Sequence, residues 1–154
     1  MINMKLLIAF FLVILDFFSK KMIFQSVELH QFIELTSFLD LAHIHNYGIS
    51  FGLFAGILPP WFIILIISLV TIIVFILMLK ANTNVEKWGL LFIFSGAISN
   101  LLDRVINKYV LDFIYFHYNS FYWPAFNFAD IYITVGVLLV IYAIVNNLIL
   151  EVSK

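Results

Sequence analysis

Four long apolar stretches divide the chain, and two segments that mix polar, aromatic and short apolar runs join them. Residues 61–79 and 131–150 contain no charge. A bilayer-crossing helix needs about 20 mostly apolar residues. At 1.5 Å per residue the first of these runs reaches about 28 Å. Residues 4–24 are apolar apart from Lys5, Asp16, Lys20 and Lys21. Residues 88–102 are uncharged, and the apolar pattern continues through Asp103 and Arg104 to Ile106. The pattern predicts an α-helical integral membrane protein with four transmembrane helices, over about 4–24, 57–79, 88–106 and 129–150, in one membrane domain covering 1–154. An even number of crossings puts both termini on one side.

The joining segments differ in kind. Within 27–55, stretches such as 28–35 and 41–45 alternate loosely, as half-buried strands do. Asn46-Tyr47-Gly48 reads as a turn. A small interfacial sheet is expected there. Residues 107–128 carry Tyr109, Tyr115, Tyr118, Tyr122 and Trp123, a density that suits the headgroup region, where one end of the ring is wet. An aromatic loop is expected there. Lys5 followed by an apolar run begins like a signal peptide. Asp16 and two lysines follow where a small-residue cleavage site would stand, so the segment reads as a retained helix.

Composition narrows the class. The 154 residues are 64% hydrophobic and 11% charged, with a mean hydropathy of +1.11. Soluble domains run at about 45–50% apolar and about 25% charged, so an ordinary soluble protein is excluded, as is a disordered one. A net charge of −1 leaves no basic face for nucleic acid. The absence of cysteine excludes disulfides, thiolate metal sites, cysteine nucleophiles and lipidation on the chain's own cysteine. Basic residues do not set the orientation: Lys5, Lys80, Lys87 and Lys154 fall on one side, Lys20, Lys21, Arg104 and Lys108 on the other. The acids are lopsided. Asp16, Glu28, Glu34, Asp40, Asp103, Asp112 and Asp130 share one membrane face, with only Glu86 and Glu151 opposite. The chemistry belongs at that face.

Ionisable groups at membrane depth are costly and suggest function, yet each has a structural reading too. Asp16 and Lys20 stand i,i+4, acid first, which suits an ion pair; Asp16 could equally shape a polar site. Ser95-Gly96-Ala97-Ile98-Ser99 places small residues where another helix can approach closely. Asn100, Asp103 and Arg104 follow on one face. Asp103 is expected to neutralise Arg104, while Asn100 either bonds a neighbouring helix or joins Arg104 in positioning a substrate. Asp112, in Val110-Leu111-Asp112-Phe113-Ile114, has no neighbouring cation and is hard to explain structurally. Asn127-Phe128-Ala129-Asp130 resembles a helix cap; it gains function only if Asp130 faces Asp112. His43 and His45 would share one face of a strand, where metal binding is conceivable but no acid or cysteine pattern accompanies them. His30 and His117 read as interfacial residues. Serine-nucleophile, zinc-protease and nucleotide motifs are absent. Paired carboxylates remain: two aspartates sharing a site hold one proton between them, so one can take a proton from water while the other polarises a carbonyl. That is aspartic peptide hydrolysis, for which neither cofactor nor metal is expected.

At these residues the chain resembles the lipoprotein signal peptidase (signal peptidase II) family of bacteria. The resemblance runs through five blocks: Asp16-x-x-x-Lys20, Asn46-Tyr47-Gly48-Ile49-Ser50-Phe51-Gly52, Gly96 to Arg104, Val110-Leu111-Asp112-Phe113, and Trp123 to Asp130. It implies four transmembrane helices, cytoplasmic termini and an extracytoplasmic sheet after the first helix, in the bacterial cytoplasmic (inner) membrane. It implies cleavage of the signal peptide from diacylglyceryl-modified prolipoproteins just before the lipid-bearing cysteine, by a monomer in contact with membrane lipid and sensitive to globomycin. Asp112 and Asp130 match the catalytic aspartates. Asp16, Lys20, Asn46, Gly52, Asn100, Arg104 and Asn127 match residues that shape the site or bind substrate, with Asp103 structural. The chain departs from the pattern at Ser95 and Ser99, where the family usually has Gly, and at Ser50, where it usually has Ala. These small-for-small changes bear on helix packing, not on the chemistry. Two other classes stay open: a proton or solute carrier built on the same charges, although the charge-free second and fourth helices offer no path across the midplane, and a structural scaffold for which Asp112 would be dispensable.

Overall fold

A computed structural model describes residues 4–49 and 52–152. Four helices, α1 (Met4–Ser26), α2 (Pro60–Lys80), α3 (Asn84–Asn107) and α4 (Phe128–Val152), are joined on one side by strands β1 (Phe32–Thr36), β2 (Leu39–Asn46), β3 (Val110–Tyr118) and β4 (Phe121–Tyr122). The strands form one antiparallel sheet in the order β1-β2-β3-β4. Ser50 and Phe51 of the second motif block lie outside the described residues.

Among the described residues, α2, α3 and α4 are long and apolar enough to cross a membrane by length and composition. The charges Asp16, Lys20 and Lys21 set α1 apart. The burial of α1 runs through Leu12, Asp16, Lys20 and Ile23, a one-sided helical stripe, so two of its charges face inward. Its outer face exposes Phe10, Phe11, Phe17 and Phe18. Such large apolar side chains cover the outside of α1, α2 and α4 and the C-terminal end of α3, as expected where lipid rather than water is the solvent.

Two helix starts follow local rules. α2 begins at Pro60, not at the expected 57, because proline's missing N–H and fixed φ suit the first turn. α3 begins at Asn84, not 88: the Thr83 hydroxyl accepts from the Glu86 N–H and the Glu86 carboxylate accepts from the Asn82 N–H, variants of a capping box.

Helix α3 is central, packed against α1, α2 and α4. The small-residue stripe does what its composition predicts. A Cβ on Gly96 would collide with the Ala129 carbonyl oxygen, and one on Gly136 would stand 2.5 Å from the Gly89 carbonyl oxygen. Backbones of α3 and α4 therefore touch at two levels. Ser95 turns its hydroxyl onto the Leu91 carbonyl of its own helix, so it enters this interface without an unpaired polar group.

The expected aromatic loop over 107–128 is instead half of the sheet. Val110–Tyr118 is rich in aromatic residues, with Val110 and Ile114 β-branched, types that fit a pleated, half-buried surface. β3 pairs with β2 in the register Ile44↔Asp112 and Asn46↔Val110. The chain then folds back: Phe126 N–H donates to Ile114 O (3.0 Å) and Ile114 N–H to Phe126 O (2.8 Å). That return delivers Asn127, and the start of α4, against Asp112. Leu111 and Phe113, on the other face of β3, pack with Ile23 and Val27 at the end of α1.

Candidate active site

Asp112 points from β3 toward the helix bundle and is 3% exposed. Its two oxygens are held by two amides: Asn46 Nδ2 donates to Oδ2 at 3.0 Å and Asn127 Nδ2 to Oδ1 at 2.6 Å. Asn46 lies diagonally across the β2–β3 ladder, two residues along on the same face. Its own side-chain oxygen accepts from the Gly48 N–H, which fixes which end of the amide faces Asp112. Asn127 is the N-cap of α4, with reciprocal bonds: its oxygen accepts from Asp130 N–H (3.1 Å) and its own N–H donates to Asp130 Oδ2 (3.0 Å). The capping reading of this motif and the site reading are thus both true of the same residues.

Asp130 takes a second bond at Oδ1, from Asn100 Nδ2 at 2.9 Å. Asp112, Asp130, Asn46, Asn100 and Arg104 line one cavity of about 450 Å³, whose remaining wall is mostly apolar and built chiefly from α2, α3 and α4, including Ile66, Val70, Ile93 and Ile133. Burial, and after it the Asp130 carboxylate, push the Asp112 carboxyl up to about 7, with the Asn46 and Asn127 amides pulling the other way.

Arg104 does not pair with Asp103, which corrects the expectation from sequence. Its Nη2 donates to the Gly48 carbonyl oxygen (2.8 Å) and its Nη1 to the Asn100 carbonyl oxygen (3.1 Å). Adjacent residues of a helix point about 100° apart, so Asp103 faces α1 while Arg104 reaches the turn after β2. Asp103 pairs with Lys20 at 2.8 Å. Lys20 also pairs with Asp16 at 2.6 Å and donates to Asn100 Oδ1 at 2.8 Å. Asp16, fully buried, accepts in addition from the Ser99 hydroxyl and from Ala129 N–H at 3.0 Å. This cluster stands beside the cavity, joined to it through Asn100. Gly52 (φ +74°) accepts from Ala55 N–H in the turn following Asn46–Ile49 and is not part of the cavity wall.

The sequence did not single out the Ser99 hydroxyl or the Ala129 N–H as partners of Asp16. Ser99's position in the small-residue stripe was the available signal. His117 is more than an interfacial residue, since its Nε2 stands 3.1 Å from Asp40 Oδ1. Among the described residues no three His, Asp or Glu side chains gather to hold a metal ion.

The family model for signal peptidase (SPase) II matches residues 8–146. A lipoprotein signal peptidase of Desulforapulum autotrophicum is 37% identical over 147 residues, 92% of this chain and 91% of that one. That of Alteromonas mediterranea is 34% identical over 139 residues, 87% of this chain and 76% of that one. A solved structure described as a bacterial membrane enzyme superposes with a TM-score of 0.85 at 29% identity, covering 95% of this chain and 90% of its own. The chain belongs to the signal peptidase II family, the peptidases that remove signal peptides from prolipoproteins.

Proposed function

We propose that Asp112 and Asp130 are the catalytic pair of a membrane aspartic endopeptidase that cuts a diacylglyceryl-modified prolipoprotein just before its lipidated cysteine. One observation carries this: two carboxyls line a single cavity and, among the described residues, accept hydrogen bonds only from neutral donors, Asn46, Asn100, Asn127 and one backbone N–H. Neutral donors orient a carboxyl without locking it in the ionised form, so the pair can hold one proton between two sites.

In this reading Asp112, whose pKa burial raises to about 7, is the member that carries the shared proton. Asp130, ionised, takes a proton from a water held between them as the water oxygen attacks the scissile carbonyl carbon. Asp112 gives its proton to the carbonyl oxygen, forming a tetrahedral diol. The C–N bond then breaks, with a proton passing to the departing cysteine nitrogen and the second returning to the pair. Water is consumed, and an acid and an amine leave. Asn46, Asn100 and Asn127 hold the carboxyls, Arg104 anchors the Gly48 turn at the mouth, and the apolar wall of α2 and α4 excludes bulk water.

In this reading α1 is a fourth transmembrane helix. At 1.5 Å per residue its 23 residues reach about 34 Å, and Asp16 and Lys20 neutralise each other on the inner face. The sheet and active site then lie at the extracytoplasmic face of the bacterial inner membrane, the termini in the cytoplasm, and the substrate's acyl chains in lipid beside the helices. The enzyme works as a monomer and is blocked by globomycin.

The test is cleavage of a diacylglyceryl-modified prolipoprotein peptide by the purified protein in detergent. Wild type should cut before the lipidated cysteine, and Asp112→Asn and Asp130→Asn should each lose about a thousandfold or more. Substantial activity in either folded variant would sink the pair.

A further inference from the structure

His43 and His45 belong neither to the cavity nor to the Lys20 cluster. They lie on one face of β2, at the outer end of α1, and their Nε2 atoms stand 3.0 Å apart. The orientation of both rings is fixed. His43 Nδ1 is 2.8 Å from the Val27 carbonyl oxygen. A carbonyl only accepts, so Nδ1 carries the hydrogen and Nε2 of a neutral His43 presents a lone pair. His45 is stacked on Tyr109, centroids 3.6 Å apart at 16°. Both rings line an open pocket with Gln25 and Glu28.

We propose that His43 and His45 form a two-imidazole chelate for a divalent transition-metal ion, Cu2+ or Zn2+, bound through both Nε2 atoms, with water filling the remaining positions. The spacing carries the inference. Two nitrogens each about 2.0–2.1 Å from one ion stand about 2.9–3.3 Å apart for bond angles between square and tetrahedral. The backbone contact at His43 Nδ1 is the outer support that metal-bound histidines use to fix tautomer and ring direction. Without metal, His45 donates its Nε2 hydrogen to His43. On binding, that hydrogen moves to His45 Nδ1, so both lone pairs converge and no net proton is released. Burial, and then the neighbouring His43 and His30, lower the His45 pKa. Charged groups facing the pair are Glu28 at the pocket and His30, whose N–H donates to the His43 carbonyl oxygen. Bound metal would tie β2 to the end of α1 through Val27.

The experiment is calorimetric titration of CuCl2 and, separately, ZnCl2 into the purified full chain, freed of any histidine tag, in detergent at pH 7.5. Electron paramagnetic resonance of the copper sample and thermal unfolding accompany it. Binding should saturate at one ion per chain, show two coordinated nitrogens, and raise the unfolding temperature with metal concentration. His45→Gln, at a half-buried position, should weaken binding about tenfold or more and abolish the two-nitrogen signature. His117→Gln, on β3, should bind as wild type does. Equal affinity in wild type and His45→Gln, or loss of binding in His117→Gln instead, would overturn the proposal. His43→Gln should behave as His45→Gln if it folds; should it fail to fold, His45→Gln alone decides.

Discussion

Two carboxylate clusters lie side by side in this protein and are satisfied in opposite ways. Asp16 and Asp103 share one lysine, Lys20, with N···O separations of 2.6 and 2.8 Å. Among the described residues, Asp112 and Asp130 accept only from amides. A buried carboxylate against an ammonium is held ionised, and removing either partner strands a charge. A buried carboxyl against amides can gain or lose a proton at modest cost. The first arrangement suits a joint between α1, α3 and α4; the second suits proton transfer. Asn100 separates the two. Its oxygen accepts from Lys20 and its amide nitrogen donates to Asp130, so the lysine's charge sets which end of Asn100 meets the cavity.

The comparison breaks most visibly under matched substitutions. Asp112→Asn should cut activity about a thousandfold or more while leaving the thermal unfolding temperature in detergent nearly unchanged, because a neutral isostere replaces a group that is readily protonated in place. Lys20→Met should do the reverse in kind. It strands Asp16 and Asp103, and should cost about 3–5 kcal/mol of stability. A Lys20→Met protein as stable as wild type would show that the two clusters do not differ as described.

The sequence made some of this legible and hid the rest for identifiable reasons. Asp112 stood out because no cation or turn explained a carboxylate in an apolar run. Asn127 and Asp130 were visible as a cap, and the cap geometry is what aims them. Adjacency in sequence points to Arg104 as the partner of Asp103, but it is not adjacency on a helix; the lysine that meets Asp103 comes from α1. A run dense in tyrosine fits both a membrane interface and a strand, so the pattern along 107–128 predicts a loop where β3 stands. Only its pairing with β2 and with Phe126 distinguishes them. The spacing of His43 and His45 puts them on one face, but the 3.0 Å convergence depends on Val27 and Tyr109, which are distant in the chain.

A smaller effect sharpens the boundary between the clusters. Asn100→Ala removes the contact to both and should lower kcat by about 10–100-fold with little change in KM, since Asp130 loses its orientation but the cavity wall persists. Kinetics at fixed pH check this. An unchanged kcat would mean the lysine cluster has no hand in the chemistry.

The smallest expected effect is a displacement along the pH axis. Asp112 has a folded pKa near 7, above the ordinary value of 3.8, so its protonated form is favoured by folding. Its contribution to stability is fully present below about 4 and is lost as pH rises through about 7. Activity that needs the shared proton should fall over the same upper limb. The Asn46 amide opposes the shift by bonding the ionised form. Asn46→Ala should therefore raise the Asp112 pKa and move the alkaline limb of kcat/KM upward, whatever it does to the maximum rate. A limb that moves downward, or stays fixed while Asp112→Asn abolishes activity, would assign the titrating proton to Asp130.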